Sequence, residues 1–116
     1  ICAVSIHQNS YSDSSVRGPQ VFYYKASEQG RKLAESIQAA LNKAAAPDGS
    51  REAKGDASYY MLRKTDVPLV IVECGFLSNP QEAELLGEEE YQNLMAEAVT
   101  EGVKAYLEEQ PVGLSF

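Results

Sequence analysis

Two short apolar runs organise the hydrophobic pattern of the chain. Ile1-Cys2-Ala3-Val4-Ser5-Ile6 leads into His7, and Pro68-Leu69-Val70-Ile71-Val72 leads into Glu73. Bounded runs of this length, rich in β-branched residues, predict strands buried on both faces. The first is expected over residues 2–6, with Cys2, Val4 and Ile6 facing one way and Ala3, Ser5 and His7 the other. After a polar loop at 8–18, Gln20-Val21-Phe22-Tyr23-Tyr24 predicts a further strand. The period then changes. Leu33, Ile37 and Leu41 recur every four residues behind Ser27, a capping residue, and predict a helix to about residue 45 that buries one narrow stripe. Pro47-Asp48-Gly49-Ser50 closes it, and a charged loop runs to residue 56. Tyr59-Tyr60-Met61-Leu62-Arg63 reads as a short strand or an extended segment. Beyond Glu73, Asn79 is expected as an N-cap, Pro80 as the first helical residue and Glu82 as the reciprocal member of a capping box. Gly87 should stop that short helix. Tyr91, Leu94, Met95, Ala98, Val99, Gly102, Val103, Tyr106 and Leu107 set out the apolar face of a last helix over about residues 89–108, with Pro111 beyond it. Strands alternating with helices predict an α/β fold, a three-layer sandwich in which helices flank a mostly parallel sheet.

Composition narrows the class. A chain of 116 residues suits one domain over 1–116, and 44% hydrophobic with 23% charged residues is ordinary for a globular protein. The formal charge of −7 disfavours nucleic acid or an anionic membrane as partner. No apolar run is long enough to span a bilayer. The first residue is not Met, and the chain opens inside a strand-like run, so a domain missing its N-terminal part is expected. Cys2 and Cys74 read as buried free thiols, although sequence alone leaves their pairing open. With one histidine and no Cys-x-x-Cys, a structural zinc site is not expected.

The chemistry concentrates at His7 and Glu73. Each ends an apolar run, where open α/β sheets gather their ligands, so the two are expected at the carboxyl ends of neighbouring strands and facing one cleft. His7 is followed by Gln8-Asn9-Ser10, polar groups able to support a ligand, and reads equally as a metal ligand or catalyst and as a hydrogen-bonded structural residue. Glu73 has no Lys or Arg in its own strand. Near a metal-bound water it suits a general base, and a salt bridge to Arg63 or Lys64 is the competing reading. Arg63 could bind a substrate carboxylate or serve as a surface ion pair. The tyrosines at 23, 24, 59 and 60 could line a groove, and packing is the reading preferred for them. No nucleophile elbow surrounds Ser5, Ser58 or Ser78. Glu88-Glu89-Glu90 opens a helix, where acids are favoured by the macrodipole.

Ser5-Ile6-His7-Gln8-Asn9 and Val72-Glu73-Cys74-Gly75-Phe76-Leu77-Ser78-Asn79 together resemble the zinc-dependent N-acetylmuramoyl-L-alanine amidases, and most closely the branch acting on spore cortex. Gly18-Pro19-Gln20-Val21-Phe22-Tyr23-Tyr24, the helix with Leu33-Ala34-Glu35-Ser36-Ile37-Gln38, and Pro80-Gln81-Glu82-Ala83-Glu84-Leu85-Leu86 extend the resemblance along nearly the whole chain, as the C-terminal two-thirds of the catalytic domain. The resemblance implies one catalytic Zn²⁺, with His7 as a ligand and Glu73 as the catalytic glutamate, while Asn9 and Arg63 stand beside them as candidate substrate contacts. It places the remaining His and Glu ligands upstream of Ile1, so this chain alone should bind zinc poorly. The implied reaction cleaves the amide between muramic acid and L-alanine in peptidoglycan, outside the cytoplasm, in cell wall or spore cortex, with room for a protein activator. The competing expectation is an inert amidase-like module that binds peptidoglycan or a protein partner.

Overall fold

The run before Glu73 becomes the spine of the sheet. A computed structural model describes residues 1–45, 50–59, 62 and 66–109. Its elements are β1 (Ala3–Asn9), β2 (Gln20–Tyr24), α1 (Glu28–Ala45), β3 (Lys54–Asp56), β4 (Leu69–Phe76), α2 (Pro80–Leu86) and α3 (Glu89–Glu108). The sheet order is β1-β4-β2-β3. β4 is apolar on both faces, which suits an inner position, and every residue from Val70 to Phe76 is buried. β1 runs parallel to β4, β3 runs parallel to β2, and β2 meets β4 antiparallel. The α/β architecture expected from the alternation of elements is present, with a sheet that is mainly parallel and contains one antiparallel junction.

The two faces of β4 serve different clusters. Val70, Val72 and Cys74 join Val21 of β2 and the stripes of α1 and α3 in the main core. Ile71 points the other way and packs with Phe22 and Leu62, bordered by Tyr24, Tyr59 and Leu69. α1 buries the predicted Leu33, Ile37 and Leu41, and Ser27 Oγ caps it by accepting from the Gly30 amide at 2.9 Å. Gln38, buried on the same helix, accepts from the Val21 amide at 2.8 Å and donates to the Pro19 carbonyl at 3.0 Å. A polar side chain in the core is thereby satisfied while it fixes the entry of β2. α3 crosses α1 at Gly102, where an added Cβ would lie 2.5 Å from Ile37 Cα. Ser36 Oγ donates to the Gly102 carbonyl at the same crossing.

Several expectations are corrected. β1 runs on to Asn9 and β4 to Phe76, so His7 and Glu73 lie within strands, short of their ends. The charged loop after α1 holds β3, a three-residue strand with no apolar pattern, which forms because β2 offers it a parallel edge. Tyr59 lies outside the strands, while Tyr60, Met61 and Arg63 fall outside the described residues, as do residues 47–49 and Pro111. α2 starts on the predicted cap, with Glu82 N donating to Asn79 Oδ1 at 3.0 Å, and ends before Gly87. Glu82 does not reciprocate. The Asn79 amide donates to the Phe76 carbonyl instead, and the Glu82 carboxylate turns inward. On α3 the buried stripe is Met95, Ala98, Val99, Gly102 and Tyr106. Leu94 is 37% exposed and Leu107 49% exposed, because the close crossing at Gly102 narrows the seam and leaves the flanking positions outside it. Cys2 and Cys74 are both free. At the sheet edge, β1 leaves Ile6 55% exposed.

Candidate functional site

His7 and Glu73 are register partners on adjacent parallel strands. On the far side of β4, Gln20 is the antiparallel partner of Glu73. Residues paired across strands share a face. Imidazole, carboxylate and amide therefore form one row across the sheet, on the face that carries Ile71 and Phe22 and away from α1 and α3. The row closes the regular ladder. Between the His7/Glu73 and Asn9/Phe76 pairs, β4 carries Cys74 and Gly75 where β1 carries only Gln8. Such an irregularity bends the strand and interrupts regular pairing next to the two side chains, before Asn9 and Phe76 resume it.

Burial distinguishes the members of the row. Glu73 is 6% exposed, and its Oε2 is buried with no hydrogen-bond partner among the described residues. Removal from water pushes its carboxyl above the usual carboxylate range, and the nearby His7 opposes that rise in part. Among the described residues no Lys or Arg forms an ion pair with it. His7 is exposed, and its Nε2 lies 2.8 Å from Ser5 Oγ, two positions back on the same face. The hydroxyl holds the ring beside the carboxylate. Tyr59 packs its ring on Phe22, with centroids 5.6 Å apart, as the packing reading expects. Burial, with the Glu73 charge as a lesser cause, raises its phenol pKa.

A buried carboxylate with a raised pKa and an oxygen left open has the character of a group that can exchange a proton. An imidazole next to it adds a nitrogen donor of the kind zinc takes. Among the described residues no group of three or more His, Cys, Asp or Glu side chains could hold a metal ion. This chain thus fits one part of a zinc centre, a single imidazole ligand with a carboxylate at its side.

The other named candidates separate. Asn9 ends β1 within the same strand pair, and its Oδ1 accepts from the Ser10 amide at 2.8 Å. Arg63 and Lys64 lie outside the described residues. Among the described residues a cation near the end of β4 is Arg51, whose guanidinium sits 5.3 Å from the Phe76 ring centroid and donates to the Arg17 carbonyl at 3.0 Å. Sequence reasoning missed Gln20 as a neighbour of the site, because nothing local encodes its antiparallel pairing with β4. Ser5 was within reach of that reasoning, since strand alternation already put it on the face of His7.

The loop at 10–18 is anchored to the turn after β4. The Tyr11 amide donates to Ser78 Oγ at 2.9 Å, and Asn79 Nδ2 donates to the Ser14 carbonyl at 3.1 Å. The Leu77 amide donates to the Asn9 carbonyl at 2.8 Å, so β1 and β4 remain joined past the irregularity.

Known proteins give this geometry a context. Residues 2–105 match the family profile described as N-acetylmuramoyl-L-alanine amidase. The germination-specific N-acetylmuramoyl-L-alanine amidase of Bacillus subtilis is 35% identical over 107 residues, which are 92% of this chain and 45% of that protein. The probable cell wall amidase LytH of Staphylococcus saprophyticus is 32% identical over 108 residues, 91% of this chain and 35% of that protein. This chain therefore spans less than half the length of these two curated relatives. Among solved structures, the CwlD amidase from Clostridioides difficile, in complex with the GerS lipoprotein, superposes with a TM-score of 0.91 at 37% identity, over 94% of this chain and 55% of that one. The amidase AmiC2 of Nostoc punctiforme gives 0.83 at 33% identity, over 93% and 58%. With the match running from the strand of His7 through α3, the chain belongs to the N-acetylmuramoyl-L-alanine amidase family.

Proposed function

We propose that this chain works in zinc-dependent hydrolysis of the amide between N-acetylmuramic acid and L-alanine in peptidoglycan, with Glu73 as the general base and His7 as one zinc ligand. The observation that carries the reading is the buried, unpartnered Oε2 of Glu73, in register with His7. Zinc, when bound, supplies Lewis acidity that polarises the amide carbonyl and acidifies water. Glu73 takes a proton at its open oxygen and returns it to the departing alanine nitrogen. The raised pKa suits both halves of that exchange, since the same group must accept and then donate. Ser5 keeps the His7 ring in place. Asn9 and Arg63 are assigned to substrate contact, and the remaining zinc ligands to chain upstream of Ile1.

The relatives named for cell wall and germination support an extracytoplasmic role in wall or cortex remodelling. The lipoprotein bound to the clostridial relative supports a protein partner for this chain as well. Among the described residues no helix is long and apolar enough to cross a membrane.

The test uses a full-length version that carries the upstream ligands. Glu73→Gln should keep zinc and lose nearly all release of L-alanine amino termini from peptidoglycan fragments, because the isosteric amide preserves packing and removes the base. His7→Ala should lower zinc content itself. Normal turnover in Glu73→Gln removes that residue from the mechanism. Peptidoglycan binding without any zinc-dependent release in the unmutated protein would establish the inert module instead.

A further inference from the structure

We infer that Glu82 is a positioning residue for Glu73, an inference that rests on the amidase reading for its kinetic consequence. Glu82 is 2% exposed, and among the described residues no Lys or Arg forms an ion pair with it. Its carboxylate accepts from backbone instead. The Gly18 amide donates to Oε1 at 3.0 Å and to Oε2 at 2.9 Å, and the Phe76 amide donates to Oε1 at 2.7 Å. These amides belong to the segment leading into β2 and to the last residue of β4, the two neighbouring strands that set the place of Glu73. Gly18 stands just ahead of Gln20, the cross-strand partner of Glu73 on β2. Phe76 is where β4 regains its pairing with β1 after the irregularity that follows Glu73. One side chain thus holds the entry of β2 and the exit of β4, with Glu73 between them.

Packing supports the same role. A Cβ at Gly75 would lie 2.8 Å from Glu82 Cγ and 2.9 Å from Cδ, so the carboxylate rests against the irregular backbone itself. Helix capping does not account for this placement, because Asn79 Oδ1 already serves the Glu82 amide. A carboxylate is also the side chain the site calls for. Ionised, it only accepts, and here it meets only donors. A glutamine would bring an NH₂ group toward the Gly18 or the Phe76 amide and would displace one of them.

The experiment has two arms. In the full-length protein, Glu82→Gln should lower kcat on the order of 10–100-fold with KM and zinc content little changed, since a small misplacement of a catalytic group is felt in the chemical step. Glu84→Gln, on the exposed side of α2, is the control. In the present chain, Glu82→Gln should shift the NMR resonances of Glu73 and His7 at one fixed pH while those of Met95 and Val99 stay in place. Gly75→Ala, which pushes on the same contact without changing charge, should reproduce both effects and serves if Glu82→Gln does not fold. Unmoved Glu73 and His7 resonances, or a kcat loss matched by the unfolded fraction alone, would overturn the inference. If the unmutated full-length protein releases no alanine termini, the functional reading fails, and the resonance arm still decides the positioning role.

Discussion

Two glutamates, Glu73 and Glu82, are buried near the end of β4, and their surroundings give them opposite characters. Glu82 meets two backbone amides, whereas Glu73 keeps an unpartnered oxygen. The sign of the second case is testable in the metal-free chain. Burial raises the Glu73 pKa above its ordinary 4.5, so the folded state prefers the protonated form. Its contribution to stability is fully present below the ordinary value and is lost as pH rises through the raised one. Glu73→Gln should therefore raise the denaturation midpoint at neutral pH, and the gain should vanish at acid pH where both states are protonated. A gain that persists unchanged in acid would show that burial of charge is not its cause. Glu73 was legible in the sequence because an acid closing an apolar run has few reasons to be there. The inward turn of Glu82 was not legible, because the Asn79 and Glu82 spacing is also that of a capping box, and its true partners lie in distant segments.

α3 shows how far helical periodicity can be trusted. Its bounds were readable, and so was the centre of its face, since the 3.6-residue period fixes which positions align. The width of the face was not readable, because it depends on how closely α1 approaches. Met95→Ala should cost about 2–5 kcal/mol in chemical denaturation, as expected for a buried side chain. Leu94→Ala should cost well under about 1 kcal/mol, since surface changes away from special features are small. Equal losses at the two sites would show that the stripe has been misassigned. On α2, Asn79→Ala should cost about 1 kcal/mol through the lost cap. The side chain also donates to the Ser14 carbonyl, so faster amide exchange at Tyr11 and in the adjoining loop should accompany the loss.

For the whole molecule, the α/β class followed from alternating elements, but the order of the sheet did not. Nothing in Gln20-Val21-Phe22-Tyr23-Tyr24 says that its neighbours are β4 and β3, nor that one of these pairings is antiparallel. Those choices are made by tertiary packing, within which α1 and α3 meet closely at Gly102. Gly102→Ala should lower the thermal midpoint markedly, because the added methyl meets Ile37 backbone and neither helix can retreat without opening the core. The arrangement also places β1, the strand of His7, at the rim of the sheet with Ile6 55% exposed. A rim strand of seven residues offers any extended peptide it meets a row of amides and carbonyls that no other strand among the described residues takes up. In concentrated solution the nearest such peptide is β1 of another copy, and light scattering of the present chain should grow with concentration and with time. Ile6→Lys sets a charge on that rim without touching the buried row, and it should keep the scattering flat.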